Sequence, residues 1–244
     1  MTQLMIALDE PTLDRARDVF RHTAADVQWY KVGYQAYFSY GEQILTELRE
    51  ARRSVFLDLK LHDIPNTVAA AIRTVARSGA ALISVHAGGG RAMLTAAAAV
   101  RDELRRTGRA PKIVAVTMLT SLVQTDLQEI GIDHTPHQLV SMRSALAQAC
   151  GLDGVVCAVD DVPIVRLRTE APFMVVCPGI RASGELAADQ KRTATPSEAV
   201  LAGADFIVVG RPITKAPDPR LAVRAIMAQI EQANAEKPAS MGTV

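Results

Sequence analysis

Short runs of apolar residues recur along the chain, and more polar stretches with helical spacing separate them. Eight runs, several of which carry β-branched residues, span residues 4–8, 29–32, 55–59, 82–85, 113–116, 154–159, 173–176 and 206–209. Short, continuously apolar runs are typical of strands that are covered on both faces. The pattern therefore predicts eight buried strands.

The stretches between these runs show the spacing of amphipathic helices. The clearest apolar stripe, at i, i+3, i+4, i+7 and i+8, consists of Val68, Ala71, Ile72, Val75 and Ala76. Gly79 follows it as a candidate C-cap, and residues 44–48 and 223–230 carry similar stripes. Strands that alternate with helices predict parallel βα units. Eight such units favour a single α/β domain, a closed (β/α)8 or TIM barrel, over an open doubly wound sheet.

The length of the chain fits one such barrel. The chain has 244 residues, of which 49% are apolar, and a single barrel typically takes ~250 residues. No linker-like stretch divides the sequence. We therefore expect one catalytic domain over residues 1–234. Residues 235–244 are small and polar and include a proline and a glycine, so we expect a frayed, flexible C-terminal tail there.

Charge and cysteine content narrow the class of protein. The 27 basic and 26 acidic residues give a net charge of +1 without a basic tract, so we expect neither a nucleic-acid partner nor a membrane partner. The beginning of the chain lacks signal-peptide features, and no apolar run approaches the ~18 residues of a membrane span. The spacing of Cys150, Cys157 and Cys177 fits neither a metal knuckle nor a disulfide framework. Reduced thiols and a cytoplasmic location are therefore expected.

Polar residues stand at the C-terminal ends of the predicted strands, where barrel enzymes have their active sites. In chain order they are Asp9, Lys31, Asp58, Lys60, His86, Thr117, Thr120, Gly210 and Arg211. In a closed barrel these side chains converge at one end. A long, polar, glycine-containing stretch over residues 179–196 follows the seventh strand and is expected to form a functional loop.

Asp58 and Lys60 carry the most chemical information. Side chains alternate along a strand, so these two residues are expected to share one face. A lysine between Asp58 and Asp63 stays protonated, because nearby carboxylates favour the cation. Such a lysine suits the donation of a proton to a carbanion. The alternative is a buried ion pair that only stabilises the strand.

The end of the eighth strand resembles a phosphate site. Gly210 and Arg211 follow a buried strand and precede Pro212. Glycine lets backbone N–H groups approach a phosphate, and arginine can bind it through two hydrogen bonds. The loop after the eighth strand is a recurrent phosphate site in barrels. The alternative is a turn followed by a surface charge.

The remaining histidines and cysteines fit structural interpretations better than catalytic ones. His86 precedes a glycine-rich stretch that matches no nucleotide-binding motif, and a satisfied core or rim histidine is the favoured interpretation. His134 and His137 are interpreted as residues of a solvated loop. Cys157 and Cys177 are interpreted as small hydrophobic residues within strands rather than as nucleophiles.

The segment Asp58-Leu59-Lys60-Leu61-His62-Asp63-Ile64-Pro65-Asn66-Thr67 resembles the signature of the orotidine 5'-phosphate decarboxylase family, of the bacterial type. Further segments occur in the family's order, from Ile6-Ala7-Leu8-Asp9 to Val208-Val209-Gly210-Arg211. Those between them are Lys31-Val32-Gly33, His86-Ala87-Gly88-Gly89, Val116-Thr117-Met118-Leu119-Thr120-Ser121, Pro178-Gly179-Ile180-Arg181 and Asp189-Gln190-Lys191-Arg192. The resemblance covers most of the chain.

The resemblance implies a (β/α)8 barrel that forms a homodimer with active sites at the interface. It implies conversion of orotidine 5'-monophosphate to UMP and CO2, the last step of de novo pyrimidine synthesis, without a metal or an organic cofactor. Lys60 is then the proton donor to C6 of the pyrimidine, and Asp58 lies near the substrate carboxylate. Asp63 and Thr67 are expected to reach the site of the other subunit.

The resemblance also assigns the substrate-binding residues. Asp9 and Lys31 would hold ribose hydroxyls, and Thr120 would contact the pyrimidine edge. The expected phosphate ligands are Arg181, Gln190, Gly210 and Arg211, with Gln190 on a closing loop.

Two departures and two rival functions accompany this assignment. Residues 34–41 are more aromatic than the family pattern, and Cys177 stands where a hydroxylated residue is common. The nearest rival is a sugar-phosphate decarboxylase or aldolase of the same superfamily, which uses such carboxylates to hold Mg²⁺. The context of His62 and residues 64–67 favours the pyrimidine enzyme. A catalytically silent, phosphate-sensing barrel is the non-enzymatic alternative.

Overall fold

A closed barrel of eight parallel strands forms the centre of the protein, which confirms the predicted (β/α)8 architecture. The computed structural model describes residues 1–108, 110–181 and 191–236. The strands follow one another around the barrel, and β1 closes it against β8. They are β1 (Gln3–Ala7), β2 (Trp29–Gly33), β3 (Ser54–Leu61), β4 (Leu82–His86), β5 (Lys112–Val116), β6 (Gly154–Val156), β7 (Met174–Cys177) and β8 (Phe206–Val209).

Helices cover the outside of this barrel. They are α1 (Leu13–Thr23), α2 (Tyr34–Glu50), α3 (Pro65–Ala76), α4 (Gly90–Arg106), α5 (Gln124–Glu129), α6 (Pro136–Ala149), α7 (Val162–Arg168), α8 (Pro196–Ala202), α9 (Arg211–Thr214) and α10 (Pro219–Glu236). Local sequence explains several starts. Thr135 and Thr195 each accept a hydrogen bond from the backbone three residues on, and each is followed by proline. Both patterns are strong signals for a helix start.

One apolar layer lies on each side of the barrel wall. The larger lies between barrel and helices, where the stripe of α3 contributes Val68, Ile72 and Val75. The smaller fills the barrel interior and consists of Met5, Ala7, Phe56, Leu82, Val114, Val116, Val156, Val176, Phe206 and Val208. Because strand residues alternate between these layers, the next inward positions stand just above the interior layer. In β2, β3 and β4 these positions hold Lys31, Asp58 and Ser84, all of which are buried.

Some local predictions were wrong. The sixth strand ends at Val156 rather than at residue 159, and Val159–Asp161 forms a 3₁₀ turn. Helix α3 ends at Ala76, and Gly79 closes the following turn with φ +80° rather than capping the helix directly. His137 is a residue of α6 and not of a loop.

Helix α10 is the last described element of the chain. Helix α10 continues to Glu236, so the first two residues of the predicted tail are helical. Residues 237–244 lie outside the described part of the chain, and the expected flexibility of the tail stays a prediction. Among the described residues, no helix is both long and apolar enough to cross a membrane.

Candidate active site

A cavity of about 590 Å³ opens at the C-terminal ends of the strands. Its walls contain eight of the residues that the sequence predicts for the site. They are Asp9, Lys31, Asp58, Lys60, Thr120, Arg181, Gly210 and Arg211. The barrel therefore brings together residues that are up to about two hundred positions apart in the sequence.

Four charged side chains form a continuous row along one wall of this cavity. Lys31 Nζ donates to both carboxylate oxygens of Asp9, at 2.8 and 3.1 Å. The same ammonium lies 3.9 Å from Oδ2 of Asp58. On the other side of Asp58, Lys60 Nζ donates to Oδ2 at 2.7 Å. The charges alternate in sign, so each one is stabilised by its neighbours.

Asp58 is the buried centre of the row. Its burial alone would raise the pKa of the carboxyl. The positive charges of Lys31 and Lys60, with hydrogen bonds from Lys60 and Ser84, outweigh that effect and hold the pKa of Asp58 below its ordinary value. Asp58 is therefore a carboxylate at neutral pH, although only 7% of the residue is exposed.

Lys60 reaches Asp58 from an irregular part of β3. Leu57 pairs with Ile83 of β4, but Val85, two residues on, pairs with Leu61. Two extra residues of β3 are therefore accommodated between these pairs as a bulge. Lys60 lies within this bulge and has a left-handed backbone with φ +43°. The predicted contact between Asp58 and Lys60 is present, but simple strand alternation does not produce it.

Ser84 is a residue of the site that the sequence did not predict. It is fully buried in β4, and its hydroxyl donates to Oδ1 of Asp58 at 2.7 Å. Oγ of Ser84 also accepts a hydrogen bond from the backbone N–H of Lys60 at 2.8 Å. Ser84 therefore connects the buried carboxylate with the bulge. Its only signal in the sequence is a serine within an apolar strand, two residues before His86.

Gly33 makes room for the pair of Asp9 and Lys31. A Cβ atom at this position would lie 2.8 Å from Oδ1 of Asp9 and 2.9 Å from Nζ of Lys31. Both distances are shorter than real Cβ contacts. A side chain at this position would therefore displace the ends of both neighbouring side chains.

An aromatic residue lies beside the lysine end of the row. Nζ of Lys60 is 5.8 Å from the centre of the Tyr34 ring, within the range of a cation–π contact. Burial, with the negative charge of Asp58, raises the pKa of the Tyr34 hydroxyl. Tyr34 stacks on Phe38 with ring centres 5.8 Å apart. The unexpectedly aromatic start of α2 thus lies next to the proposed proton donor.

The basic end of the cavity is formed by the segments after β7 and β8. Gly210 and Arg211 begin the segment after β8, and Arg181 follows β7. Lys215 also lines this end and donates to the buried carboxylate of Glu10 at 2.9 Å. This pair joins the segment after β8 to the end of β1 and was not predicted from the sequence.

Other predicted residues lie elsewhere. Asp63 and Thr67 are exposed and do not line this cavity, and Oδ1 of Asp63 accepts the N–H of Ile64 at 2.6 Å. Thr117 is fully buried and donates to the carbonyl of Val156. Gln190 lies outside the described residues.

His86 is a half-buried residue at the rim, as the favoured interpretation expected. Its Nδ1 accepts the N–H of Gly88 at 3.0 Å, and its ring stacks on His62. Burial, with the positive charge of Arg143, lowers the pKa of His86 to about 4. His86 is therefore neutral at physiological pH.

The described side chains offer oxygen and nitrogen groups of both charges but no metal centre. Within residues 1–108, 110–181 and 191–236, no group of three or more His, Cys, Asp or Glu side chains could hold a metal ion. The cavity instead combines a buried carboxylate with an ammonium at one end and arginines at the other. Such a site can bind an anionic group at a distance from the place where a proton is transferred.

The chain is similar to a family of known proteins. A family model described as the orotidine 5'-phosphate decarboxylase / HUMPS family matches residues 2–226. The chain is 42% identical over 233 residues to an orotidine 5'-phosphate decarboxylase of Marinomonas sp. (strain MWYL1), which covers 96% of this chain and 95% of the relative. It is 43% identical over 232 residues to that of Moorella thermoacetica, covering 94% of this chain and 92% of the relative.

Solved structures show the same similarity. The crystal structure of orotidine 5'-phosphate decarboxylase from Lactobacillus acidophilus superposes with a TM-score of 0.82 at 32% identity, covering 94% of this chain and 99% of that chain. An uncharacterized conserved protein from Geobacillus kaustophilus has a TM-score of 0.81 at 37% identity, covering 93% and 99%.

Proposed function

Because the chain belongs to the orotidine 5'-phosphate decarboxylase / HUMPS family, we propose that it converts orotidine 5'-monophosphate to UMP and CO2. The decarboxylation is the last step of de novo pyrimidine synthesis. The observation that carries the proposal is the 2.7 Å contact of Lys60 with the buried carboxylate of Asp58 inside a cavity with arginines at its far end.

Lys60 is the proposed proton donor. When the bond between C6 and the carboxylate breaks, CO2 leaves and the electron pair stays on C6. The ring π-system delocalises this pair poorly, so the site must stabilise the charge and supply a proton. The ammonium of Lys60 can do both, and transfer of its proton to C6 completes UMP. Asp58, Asp63 and Lys31 are the proposed members of the same charged array.

Asp58 has a second proposed role. Its pKa lies below the ordinary value, so it is negative when the substrate carboxylate enters. Two carboxylates side by side repel each other, and the departure of CO2 relieves this repulsion. The Lys60 ammonium, by contrast, attracts the negative charge that develops on C6. Both effects favour the transition state over the bound substrate.

The remaining cavity residues are the proposed substrate ligands. Asp9 and Lys31 are placed to hold ribose hydroxyls, and Thr120 the pyrimidine edge. Arg181, Gly210 and Arg211 are the proposed phosphate ligands, together with Gln190. Binding at the phosphate can stabilise the site in its reactive form, so that energy released far from C6 lowers the barrier.

The active form is proposed to be a homodimer. Support comes from Asp63 and Thr67, which are exposed and do not line the cavity of their own chain, and from exposed apolar side chains in the same region. Tyr34, Phe38 and Ile64 are 48%, 77% and 67% exposed. A second copy of the chain would cover such residues and bring Asp63 to the neighbouring cavity.

The proposed enzyme is cytoplasmic and uses neither a metal nor an organic cofactor. The three cysteines are buried free thiols, which suits a reducing compartment. The expected partners are the nucleotide substrate and a second copy of the chain, with no nucleic acid and no membrane.

An absorbance assay with orotidine 5'-monophosphate tests the proposal. We expect the substrate absorbance to fall at the same rate with and without EDTA, and we expect Lys60→Ala to abolish the reaction. Loss of activity in EDTA would favour a Mg²⁺-dependent superfamily enzyme. A wild-type protein that binds UMP but leaves the substrate unchanged would favour the silent phosphate-sensing barrel.

A further inference from the structure

A buried carboxylate outside the cavity connects three of the segments that surround its mouth. Asp161 lies on the 3₁₀ turn after β6, and its side chain is completely buried. Oδ2 lies 2.7 Å from Nη1 of Arg192, whose side chain is only 12% exposed. Oδ1 is 2.8 Å from Nδ1 of His137 at the beginning of α6. None of these three residues lines the cavity.

Arg192 connects this carboxylate with the cavity wall. Its backbone N–H donates to the carbonyl of Thr120, at 3.3 Å. The preceding residue, Lys191, forms an ion pair with Asp126 of α5 at 3.0 Å. The segment after β5, which carries Thr120, is therefore joined to the segment that leads into α8.

The segment that leads into α8 also contacts the backbone of Arg181, which follows β7. Ala194 accepts the backbone N–H of Arg181 at 2.9 Å, and its own N–H donates to Gly179 at 3.2 Å. Arg192 is thus two residues from the contact that fixes the backbone of Arg181. Displacement of Arg192 would therefore move both Thr120 and Arg181, which line the cavity.

The ion pair is costly to build, which argues for a role besides stability. Burial alone would lower the pKa of Arg192, but its contacts with Asp161 outweigh this and raise the pKa. Apolar residues of similar size often stabilise a fold as well as a buried ion pair does. The pair nevertheless keeps the two segments together, because separating it would leave a buried charge without its partner.

We infer that Asp161 is a positioning residue: through Arg192 it fixes Thr120 and Arg181 in the arrangement that binds the substrate. The inference rests on the proposed decarboxylation for its substrate, and it assigns Asp161 no contact with the reacting atoms. It predicts that loss of the ion pair weakens nucleotide binding more than it slows the reaction of the bound substrate.

Four variants test the inference. Asp161→Asn and Arg192→Gln each remove the ion pair, and their combination gives a double-mutant cycle. Asp161→Glu keeps the carboxylate. The matched control is Asp153→Asn at the opposite end of β6, which breaks a similarly buried pair with Arg101 at 2.9 Å. KM and kcat for orotidine 5'-monophosphate, the Kd of UMP and the Tm are measured for each protein.

We expect KM and the Kd of UMP to rise by roughly tenfold or more in Asp161→Asn and in Arg192→Gln, with a smaller change in kcat. The double variant should be no worse than the single variants, because both remove one interaction. Asp161→Glu should recover part of the affinity. Asp153→Asn should lower Tm while KM stays near the wild-type value.

Other outcomes separate the inference from the function on which it rests. An active wild type with unchanged KM in both single variants would overturn the inference and leave the proposed function intact. The inference would also be overturned if the increases in KM of the two single variants multiplied in the double variant. An inactive wild type would overturn the proposed function and the inference together. If Asp161→Asn fails to fold, Arg192→Gln provides the same comparison.

Discussion

The hydroxyl of Ser84 donates a hydrogen bond to Oδ1 of Asp58 at 2.7 Å, while its oxygen accepts the N–H of Lys60. We expect Ser84→Ala to lower the free energy of unfolding by about 1–3 kcal/mol, because a buried carboxylate loses a donor. The pKa of Asp58 should rise, and kcat/KM should fall. Urea unfolding and the decarboxylation assay measure these effects.

Ser144→Ala is the matched control for this prediction. Ser144 is equally buried, but its hydroxyl donates to a neutral carbonyl, that of Val140. A cost of roughly 1 kcal/mol and an unchanged kcat/KM are expected. Equal effects of the two substitutions on activity would contradict the role assigned to Ser84.

Gly33→Ala separates binding from folding. The added Cβ would collide with Oδ1 of Asp9 and Nζ of Lys31, which are the flexible ends of their side chains. The backbone at Gly33 has φ −98°, which any residue can adopt. We therefore expect Tm to change little, while KM rises by at least about tenfold because the pair is displaced. An unchanged KM would show that this pair does not contact the substrate.

His86 predicts a loss of stability in mild acid. Its pKa is lowered from 6.5 to about 4, so the unfolded chain takes up a proton first as the pH falls. Stability should therefore be complete above pH 6.5 and decrease towards pH 4, by about 1–2 kcal/mol after allowance for partial exposure. Urea unfolding of wild type and His86→Gln at about pH 7 and about pH 4.5 measures this difference.

The glutamine variant should lose less stability between these two pH values than the wild type. His22→Gln, at an exposed position of α1, is the control and should follow the wild type. If His86→Gln follows the wild-type curve as well, the acid sensitivity has another source.

Mixing two inactive variants tests the shared active site. If each site combines Lys60 of one subunit with Asp63 of the other, Lys60→Ala and Asp63→Ala should each have little activity. Their heterodimer contains one intact site. After subunits reassort at random, the mixture should recover about a quarter of the wild-type activity per subunit.

A mixture of Lys60→Ala with the Lys60→Ala/Asp63→Ala double variant should stay inactive, because neither subunit contains Lys60. Sedimentation of each mixture confirms that dimers form. Heterodimers without activity would place both residues in the site of one subunit, whereas an active Asp63→Ala homodimer would show that Asp63 belongs to neither site.

The sequence predicts the parts of this site that depend on strand periodicity. Lys31 and Asp58 stand two residues beyond inward-facing Trp29 and Phe56, so alternation turns both side chains towards the barrel interior. The position of Lys60 depends on the bulge in β3. That bulge arises from the register of β3 against β4, a long-range property that the local pattern does not contain.

Contacts between loops are harder to predict for a related reason. Asp161 is close to Arg192 and His137 only because the segments after β5, β6 and β7 meet at the barrel mouth. The local sequence around each of these residues gives no sign of the contact, and a loop position for His137 is the simplest prediction from sequence alone. The role of Ser84 is hidden in the same way, because its hydroxyl reaches Asp58 only through the pairing of β3 with β4.

The left-handed backbone of Lys60 has a consequence for protein engineering. Glycine adopts φ +43° without steric cost, whereas a lysine there loses on the order of 1 kcal/mol. Lys60→Gly would relieve this strain, but it would also take a charged hydrogen-bond donor from the buried carboxylate of Asp58, which costs more, and it would remove the proposed proton donor. Any search for a thermostable form of this protein has to hold position 60 constant.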